Sequence, residues 1–206
     1  MVDGEREPVE SARAIDRIAF FSDAVFAIAM TLLVLQLRLP LTTTEATLGH
    51  DLAELGHQYV SFVLSFLVIS MFWRSHHRRF DALRAYDDRL VVLNTLLLLS
   101  IVFLPFPTEV LGRVGGRTAT IFYAASMLVA GAVSLLNTWY VFRGGLVSER
   151  VTPTERATVL WRSASFVGLF GLSIPVAFLS VAAAQIMWVG ALLLRRLAPF
   201  VARRGR

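Results

Sequence analysis

Long apolar blocks, separated by short charged segments, are the feature that most constrains how this chain folds. The 206 residues are 56% hydrophobic and only 17% charged, and the mean hydropathy is +0.63. A water-soluble domain of this size needs far more polar surface, whereas a helix of about 20 apolar residues crosses a bilayer. The blocks therefore predict an all-α integral membrane protein in contact with membrane lipids.

Six membrane spans account for these blocks. The last apolar stretch, 164–194, is too long for one span, and Pro175 divides it because proline is favoured in the first turn of a helix. One long kinked helix, which would give five spans in total, is the alternative. The six predicted spans form one membrane domain, 1–206, and cover 14–37, 52–80, 88–110, 118–143, 153–172 and 175–197.

The distribution of arginine favours six spans over five. All 20 basic residues are arginine, and six spans with an inside N-terminus place 17 of them on the inner side. Only Arg38, Arg113 and Arg117 then lie in outer loops, which is the positive-inside pattern. Five spans would put the five C-terminal arginines outside. We therefore predict cytoplasmic termini, and we attribute the net charge of +5 to topology rather than to nucleic-acid binding.

Polar and charged residues occur inside the first predicted span. Arg17, Ser22 and Asp23 lie in a run that is otherwise almost entirely apolar as far as Leu35. A charge at bilayer depth costs about 2.5 kcal/mol or more, so it marks a functional site by default. An intramembrane arginine and aspartate that only hold helices together are the simpler alternative.

An aliphatic stripe with one hydroxyl runs along the same helix. Successive helix residues turn by about 100°, so positions i, i+3, i+4 and i+7 share a face. Here those positions are Ile28, Thr31, Leu32 and Leu35. Asp23 lies about 140° from Ile28 around the axis. We therefore expect Arg17, Ser22 and Asp23 to point away from the stripe, toward neighbouring helices that supply buried partners.

Candidate partners lie at a matching depth on the second and third spans. Trp73 and His77 share a face at the end of the second span, and Asn94 lies near the start of the third. A network of these residues with those of the first span would fix how three helices pack. A metal site at His76 and His77 is disfavoured, because adjacent helix residues point about 100° apart.

The same residues resemble the signature of a known family. The motif Arg17-x-x-x-Phe21-Ser22-Asp23 resembles that of the transmembrane protein 175 family, the endolysosomal potassium channels and their prokaryotic relatives. Trp73, His76-His77 and Asn94 fit as well, and the resemblance covers the first three helices. It implies a six-helix subunit and, since one repeat is present, a homotetramer in a bacterial plasma membrane. The permeant ion would be potassium, and no cofactor is implied.

The resemblance also implies roles for individual residues. The first helix of each subunit would line a pore around a four-fold axis, with Ile28, Leu32 and Leu35 as pore positions and Thr31 as a hydroxyl layer. The signature residues would instead hold the helices in place. They are Arg17, Phe21, Ser22, Asp23, Trp73, His76, His77 and Asn94.

The sequence lacks the Thr-Val-Gly-Tyr-Gly loop of carbonyl-ring potassium filters. Selectivity would then arise at a hydrophobic constriction formed by Ile28, and discrimination between potassium and sodium would be modest.

A proton- or cation-coupled transporter is one alternative function, although it should show paired inverted repeats. A membrane-embedded enzyme would need converging nucleophilic or metal-binding groups. A membrane scaffold without transport is a further alternative.

Overall fold

Helices make up the framework of the computed structural model, which describes residues 6–148 and 151–190. They are α1 (Arg6–Leu32), α2 (Leu48–Glu54), α3 (Gly56–Asp81), α4 (Asp88–Phe103), α5 (Pro105–Arg113), α6 (Gly116–Arg143), α7 (Pro153–Leu179) and α8 (Val181–Gly190). A 3-10 turn, Leu33–Gln36, extends α1. This confirms the all-α class for the described part of the chain.

Within residues 6–148 and 151–190, five helical segments are long and apolar enough to cross a membrane. They are Arg13–Gln36, Gly56–Asp81, Asp88–Arg113, Gly116–Arg143 and Pro153–Leu179. The second begins later than the predicted 52, because residues 48–54 form the separate short helix α2. The last predicted span, 175–197, is described only in part, since its residues beyond 190 lie outside the described ranges.

A break at Leu104 divides the third membrane segment into α4 and α5. Pro105 begins α5, where its missing N–H interrupts no helical hydrogen bond. The Gln36 amide nitrogen, at the end of α1, donates to the carbonyl of Pro105. The predicted third span, 88–110, is therefore two consecutive helices, and α1 is tied to the junction between them.

The boundary predicted at Pro175 differs from the structure. Helix α7 continues through Pro175 to Leu179, and Ser173 Oγ donates to the Phe170 carbonyl at 2.8 Å. Pro175 lacks the N–H that would bond to the Gly171 carbonyl, and a membrane helix tolerates this loss where other groups satisfy the freed carbonyl. The break falls instead at Ser180, whose extended backbone and side chain cap α8 by accepting from the Ala183 N–H at 3.2 Å.

One hydrophobic core joins the long helices. Phe26 of α1, Ile69 of α3 and Ile101 of α4 are fully buried in it. From the other side, the Trp188 ring of α8 stacks on Phe170 of α7 at 5.8 Å between centroids. The described part of α8 therefore packs into the same core as the longer helices.

Close packing of α6 on α7 depends on Gly131. A Cβ atom at this position would lie 2.9 Å from the Phe166 ring. That ring is itself fixed between Phe72 at 5.0 Å and Phe170 at 4.7 Å. The ring therefore has little freedom to move aside.

We expect Gly131→Ala to destabilise the protein by about 1–3 kcal/mol through overpacking. Thermal unfolding of the purified protein in detergent would measure the loss. Gly168→Ala is the matched control, because a Cβ atom there meets nothing within 4 Å. Equal melting temperatures for the two variants would contradict the close approach of α6 and α7.

A polar clamp joins the start of α4 to the end of α6. The Asp87 side chain caps α4 by accepting from the Leu90 N–H at 2.8 Å, and its other oxygen accepts from the Tyr140 hydroxyl. The hydrogen bond from Tyr140 lowers the pKa of Asp87 below its ordinary value. The clamp therefore favours the ionised carboxylate.

We expect Tyr140→Phe to lower the melting temperature at pH 7, because the Asp87 carboxylate loses a donor. Since the folded pKa is depressed, this stabilisation is fully present above the unfolded value of about 3.9. It is lost as the pH falls through the folded pKa. The difference from the wild type should therefore shrink in acid, in melting curves taken from pH 7 downward. Tyr86→Phe, on the exposed Tyr86, is the control, and a pH-independent difference would contradict the clamp.

Candidate pore helix and its packing network

A chain of buried hydrogen bonds fixes α1 against α3 and α4. The Asn94 amide nitrogen of α4 donates to Ser22 Oγ of α1 at 3.0 Å. The Asn94 amide oxygen lies 2.8 Å from His76 Nε2 of α3. All three side chains are buried. Asn94 therefore connects three helices through one side chain.

In this series of hydrogen bonds, each side chain donates to the next group, from His76 through Asn94 to Ser22. Because Asn94 donates to Ser22, its oxygen faces His76 and accepts from Nε2–H. Ser22 Oγ in turn donates to the Ile18 carbonyl at 2.8 Å. The His76 ring lies against Phe80 at 4.3 Å and Phe26 at 5.5 Å. His76 Nδ1 is buried and has no hydrogen-bond partner among the described residues, so the bond from Nε2–H to Asn94 orients the ring. Directional bonds of this kind in an apolar setting favour one arrangement of the helices.

Asp23, the residue after Ser22 on α1, makes a second contact that strengthens the attachment of α1 to α3. Trp73 Nε1 donates to Asp23 Oδ1 at 2.8 Å, which pairs the intramembrane carboxylate with α3. The Trp73 ring stacks on His77 at 5.7 Å. His77 is exposed, and its Nε2 lies 3.7 Å from Asp81 Oδ2. The structure thus brings Asp23, Trp73 and His77 together beside the Asn94 chain.

Arg17 and Phe21 lie outside this network, in contrast to the expectation that both hold the helices in place. Both side chains are exposed, and the Arg17 side chain makes no hydrogen bond or ion pair with any other described residue. The physical reason is helical phase: Arg17 is eleven positions before Ile28 and Phe21 is seven, so both fall within about 20° of Ile28. They therefore extend the aliphatic stripe instead of facing α3 and α4.

The stripe itself is solvent-accessible in the single chain. Ile28 is 56% exposed and Leu35 is 62% exposed, with Leu32 less so at 38%. Thr31 is exposed too, and its hydroxyl donates to the Ile28 carbonyl at 2.8 Å. Its oxygen lone pairs are therefore free to face outward. On the opposite side of the helix, Phe26 and Leu33 are completely buried.

Sequence reasoning missed a second buried polar chain in the other half of the bundle. Thr108 Oγ1 of α5 lies 2.8 Å from Ser65 Oγ of α3. Ser65 Oγ in turn lies 3.0 Å from the Tyr123 hydroxyl of α6. The available signal was the position of Ser65, four residues after Ser61 and four before Ile69 on the buried face of α3.

Comparison with known proteins identifies relatives over most of the chain. A family model described as endosomal/lysosomal potassium channel TMEM175 matches residues 17–105. A potassium channel of Streptomyces collinus is 33% identical over 171 residues, which cover 80% of this chain and 82% of that protein. A potassium channel of Chamaesiphon minutus is 38% identical over 123 residues, 57% of this chain and 61% of that protein.

A solved structure has a similar fold. It is the crystal structure of a lysosomal potassium-selective channel TMEM175 homolog from Chamaesiphon minutus, with a TM-score of 0.73 and 28% identity. The match covers 89% of this chain and 98% of that one.

Fold and site together define a helical integral membrane protein whose first long helix is clamped on one face and exposed on the other. The 33% identity across most of the Streptomyces collinus protein places this chain within a family, and the family model matches the helices that carry the hydrogen-bond network. The chain belongs to the TMEM175 family.

Replacing Asn94 tests the network. We expect Asn94→Leu to cost about 1–3 kcal/mol, because it leaves His76 and Ser22 without their buried partner. Thermal unfolding in detergent would report the loss. The control is Thr95→Val, since Thr95 is exposed and its hydroxyl bonds only to the backbone of its own helix. If both variants melt like the wild type, Asn94 does not hold the three helices together.

Proposed function

We propose that this chain is the subunit of a potassium channel of modest selectivity in which the exposed face of α1 lines the ion path. The potassium-channel names of the Streptomyces collinus and Chamaesiphon minutus relatives support the ion. The observation that carries the proposal is the rotation of α1 about its own axis, which decides which of its faces is buried. Its polar side chains Ser22 and Asp23 are used in packing, and its uncharged stripe is left uncovered.

Arg17 is compatible with an uncovered face that meets water at its inner end. It lies on the same side of α1 as Ile28 and is exposed. A charged side chain within a membrane segment requires water, a partner or the interface. A water-filled path beginning near Arg17 and narrowing toward Ile28 meets this need.

The chemistry of the stripe suits a cation that passes without being held tightly. Ile28, Leu32 and Leu35 offer no ligands, and a narrow apolar constriction can gate by losing its water. Thr31 offers hydroxyl lone pairs, because its hydrogen is engaged by the Ile28 carbonyl. A layer of such oxygens compensates part of the lost hydration of a cation.

Several copies must assemble if the stripe encloses a path, because one helix cannot surround an ion. We propose a homotetramer, which is the assembly that the family resemblance implies for a chain with one repeat. Copies of α1 related by a four-fold axis would bring their Ile28 side chains together. In the bacterial plasma membrane, the arginine-rich ends of the spans would face the cytoplasm, as would both termini.

Ion flux in liposomes tests the proposal. We expect Ile28→Asn to increase potassium leak and to lower the ratio of potassium to sodium permeability, because a polar residue hydrates the constriction. The matched control is Leu99→Asn, since Leu99 is similarly exposed, at 66%, but lies on α4.

The outcomes separate the competing functions. Unchanged currents and ion ratios in Ile28→Asn would remove Ile28 from the ion path. Flux that requires a second ion gradient would indicate a coupled transporter. A wild-type protein that assembles but passes no ions under any gradient would indicate a scaffold.

A further inference from the structure

Arginines from two helices form a charged patch at one end of the bundle. Arg74 and Arg78 lie one turn apart near the end of α3, and both side chains are exposed. Arg78 Nε donates to the Arg74 carbonyl at 3.2 Å, which holds the Arg78 side chain back along the helix. Arg162 of α7 is exposed as well, and the charges of Arg74 and Arg162 both act on Arg78. We call Arg74, Arg78 and Arg162 the arginine patch.

The carboxylates nearest to the patch along α3 and α7 are engaged with other groups. Within the described ranges, neither of the two α3 arginines of the patch forms an ion pair with a carboxylate. Asp81, the last residue of α3, lies 3.7 Å from His77 Nε2. Glu155 of α7 accepts from the Thr152 backbone N–H at 2.9 Å, as part of a capping box. The patch therefore carries an excess of positive charge, which favours an anionic partner.

A narrow cleft between α3 and α7, with α6 at its base, begins beside the patch. Its lining residues are Met71, Phe72, Ser75, Gly131, Ser134, Ser163 and Phe166. Ser75 directly follows Arg74 in the chain, and Ser163 directly follows Arg162. The end of the cleft that carries these hydroxyl groups therefore adjoins the arginine patch.

Polarity decreases along the cleft with increasing depth in the membrane segments. Helix α3 runs toward the patch and α7 runs away from it. Met71, Phe72 and Phe166 therefore lie deeper in the spans than Ser75 and Ser163. Charged groups, hydroxyl groups and apolar side chains follow one another in the order of the phosphate, glycerol and acyl chain of a phospholipid. The enclosed space is only about 30 Å³, so an acyl chain would lie along the open side of the cleft.

An exposed tryptophan places the patch at the level of the lipid headgroups. Trp161, the residue before Arg162, is 75% exposed. Tryptophan is enriched at the interface between membrane and water, and lipid phosphates lie at the same level. A lipid is therefore favoured over a soluble anion as the partner. In the topology proposed above, this is the cytoplasmic leaflet.

We propose that the arginine patch binds the phosphate group of an anionic phospholipid of the cytoplasmic leaflet, with one acyl chain lying along the cleft. Guanidinium groups bind phosphate oxygens in a bidentate manner. Basic side chains at the cytoplasmic surface are attracted to anionic lipids, and the hydroxyl groups of Ser75 and Ser163 border the same space. The site includes no residue of α1, so the proposal does not depend on which ion the α1 face conducts.

Thermal unfolding in nanodiscs tests the site. A ligand of the folded state raises the melting temperature with its concentration. We expect the wild type to melt progressively higher as phosphatidylglycerol replaces phosphatidylcholine. A double variant, Arg78→Gln with Arg162→Gln, should lose most of this rise and melt near the wild type in phosphatidylcholine alone, because both side chains are exposed. Arg143→Gln is the matched control and should retain the rise, since Arg143 is exposed in the last turn of α6, outside the patch.

Native mass spectrometry gives a direct count of retained lipids. We expect the wild type and Arg143→Gln to retain phosphatidylglycerol in preference to phosphatidylcholine, and the double variant to lose this preference. If the double variant does not fold, Arg162→Gln alone takes its place, with a smaller loss expected.

Three results would overturn the proposal. The first is a melting temperature of the wild type that does not respond to phosphatidylglycerol. The second is a rise that Arg143→Gln reduces as much as the patch variants do, which would indicate a general effect of surface charge. The third is an equal rise with soluble glycerol phosphate in phosphatidylcholine nanodiscs, which would indicate a site for a free anion.

Discussion

The attachment of α1 to α3 and α4 is the interaction on which the rest of the site depends. Apolar surfaces alone set helix rotation weakly in lipid, because lipid tails are as apolar as leucine. Directional hydrogen bonds at Asn94 remove that freedom by joining Ser22 and His76 at distances of 3.0 and 2.8 Å. The contact between Asp23 and Trp73 repeats the restraint one residue along α1.

Because α1 is held in this rotation about its own axis, its two sides have different roles. The buried side, with Phe26 and Leu33, enters the common core, whereas the side from Arg17 to Leu35 is left uncovered. An intramembrane carboxylate would ordinarily suggest an ion site. Here Asp23 accepts a hydrogen bond from Trp73, so its position is explained by packing.

Polar contacts recur at several levels of the bundle. Ser65 links α3 to α5 and α6 in one half, and Asn94 links three helices in the other. The pair of Arg79 and Ser134 adds a third contact near the ends of α3 and α6. Helix α3 takes part in all three contacts, which together link α1, α4, α5 and α6 to it. Aromatic rings fill the space between α7 and α8, as in the stacking of Phe170 on Trp188.

The sequence by itself determined the all-α membrane class, the approximate places of the membrane segments and the short set of polar residues in α1, α3 and α4. These follow from hydropathy and helical period, which are local properties. Helical phase within α1 already places Arg17 on the face of Ile28. Tertiary structure alone decided which partners meet: Asn94 bonds to His76 rather than to His77. It also moved the helix break from Pro175 to Ser180. Such choices depend on the rotation and depth of neighbouring helices, and no single segment of sequence contains that information.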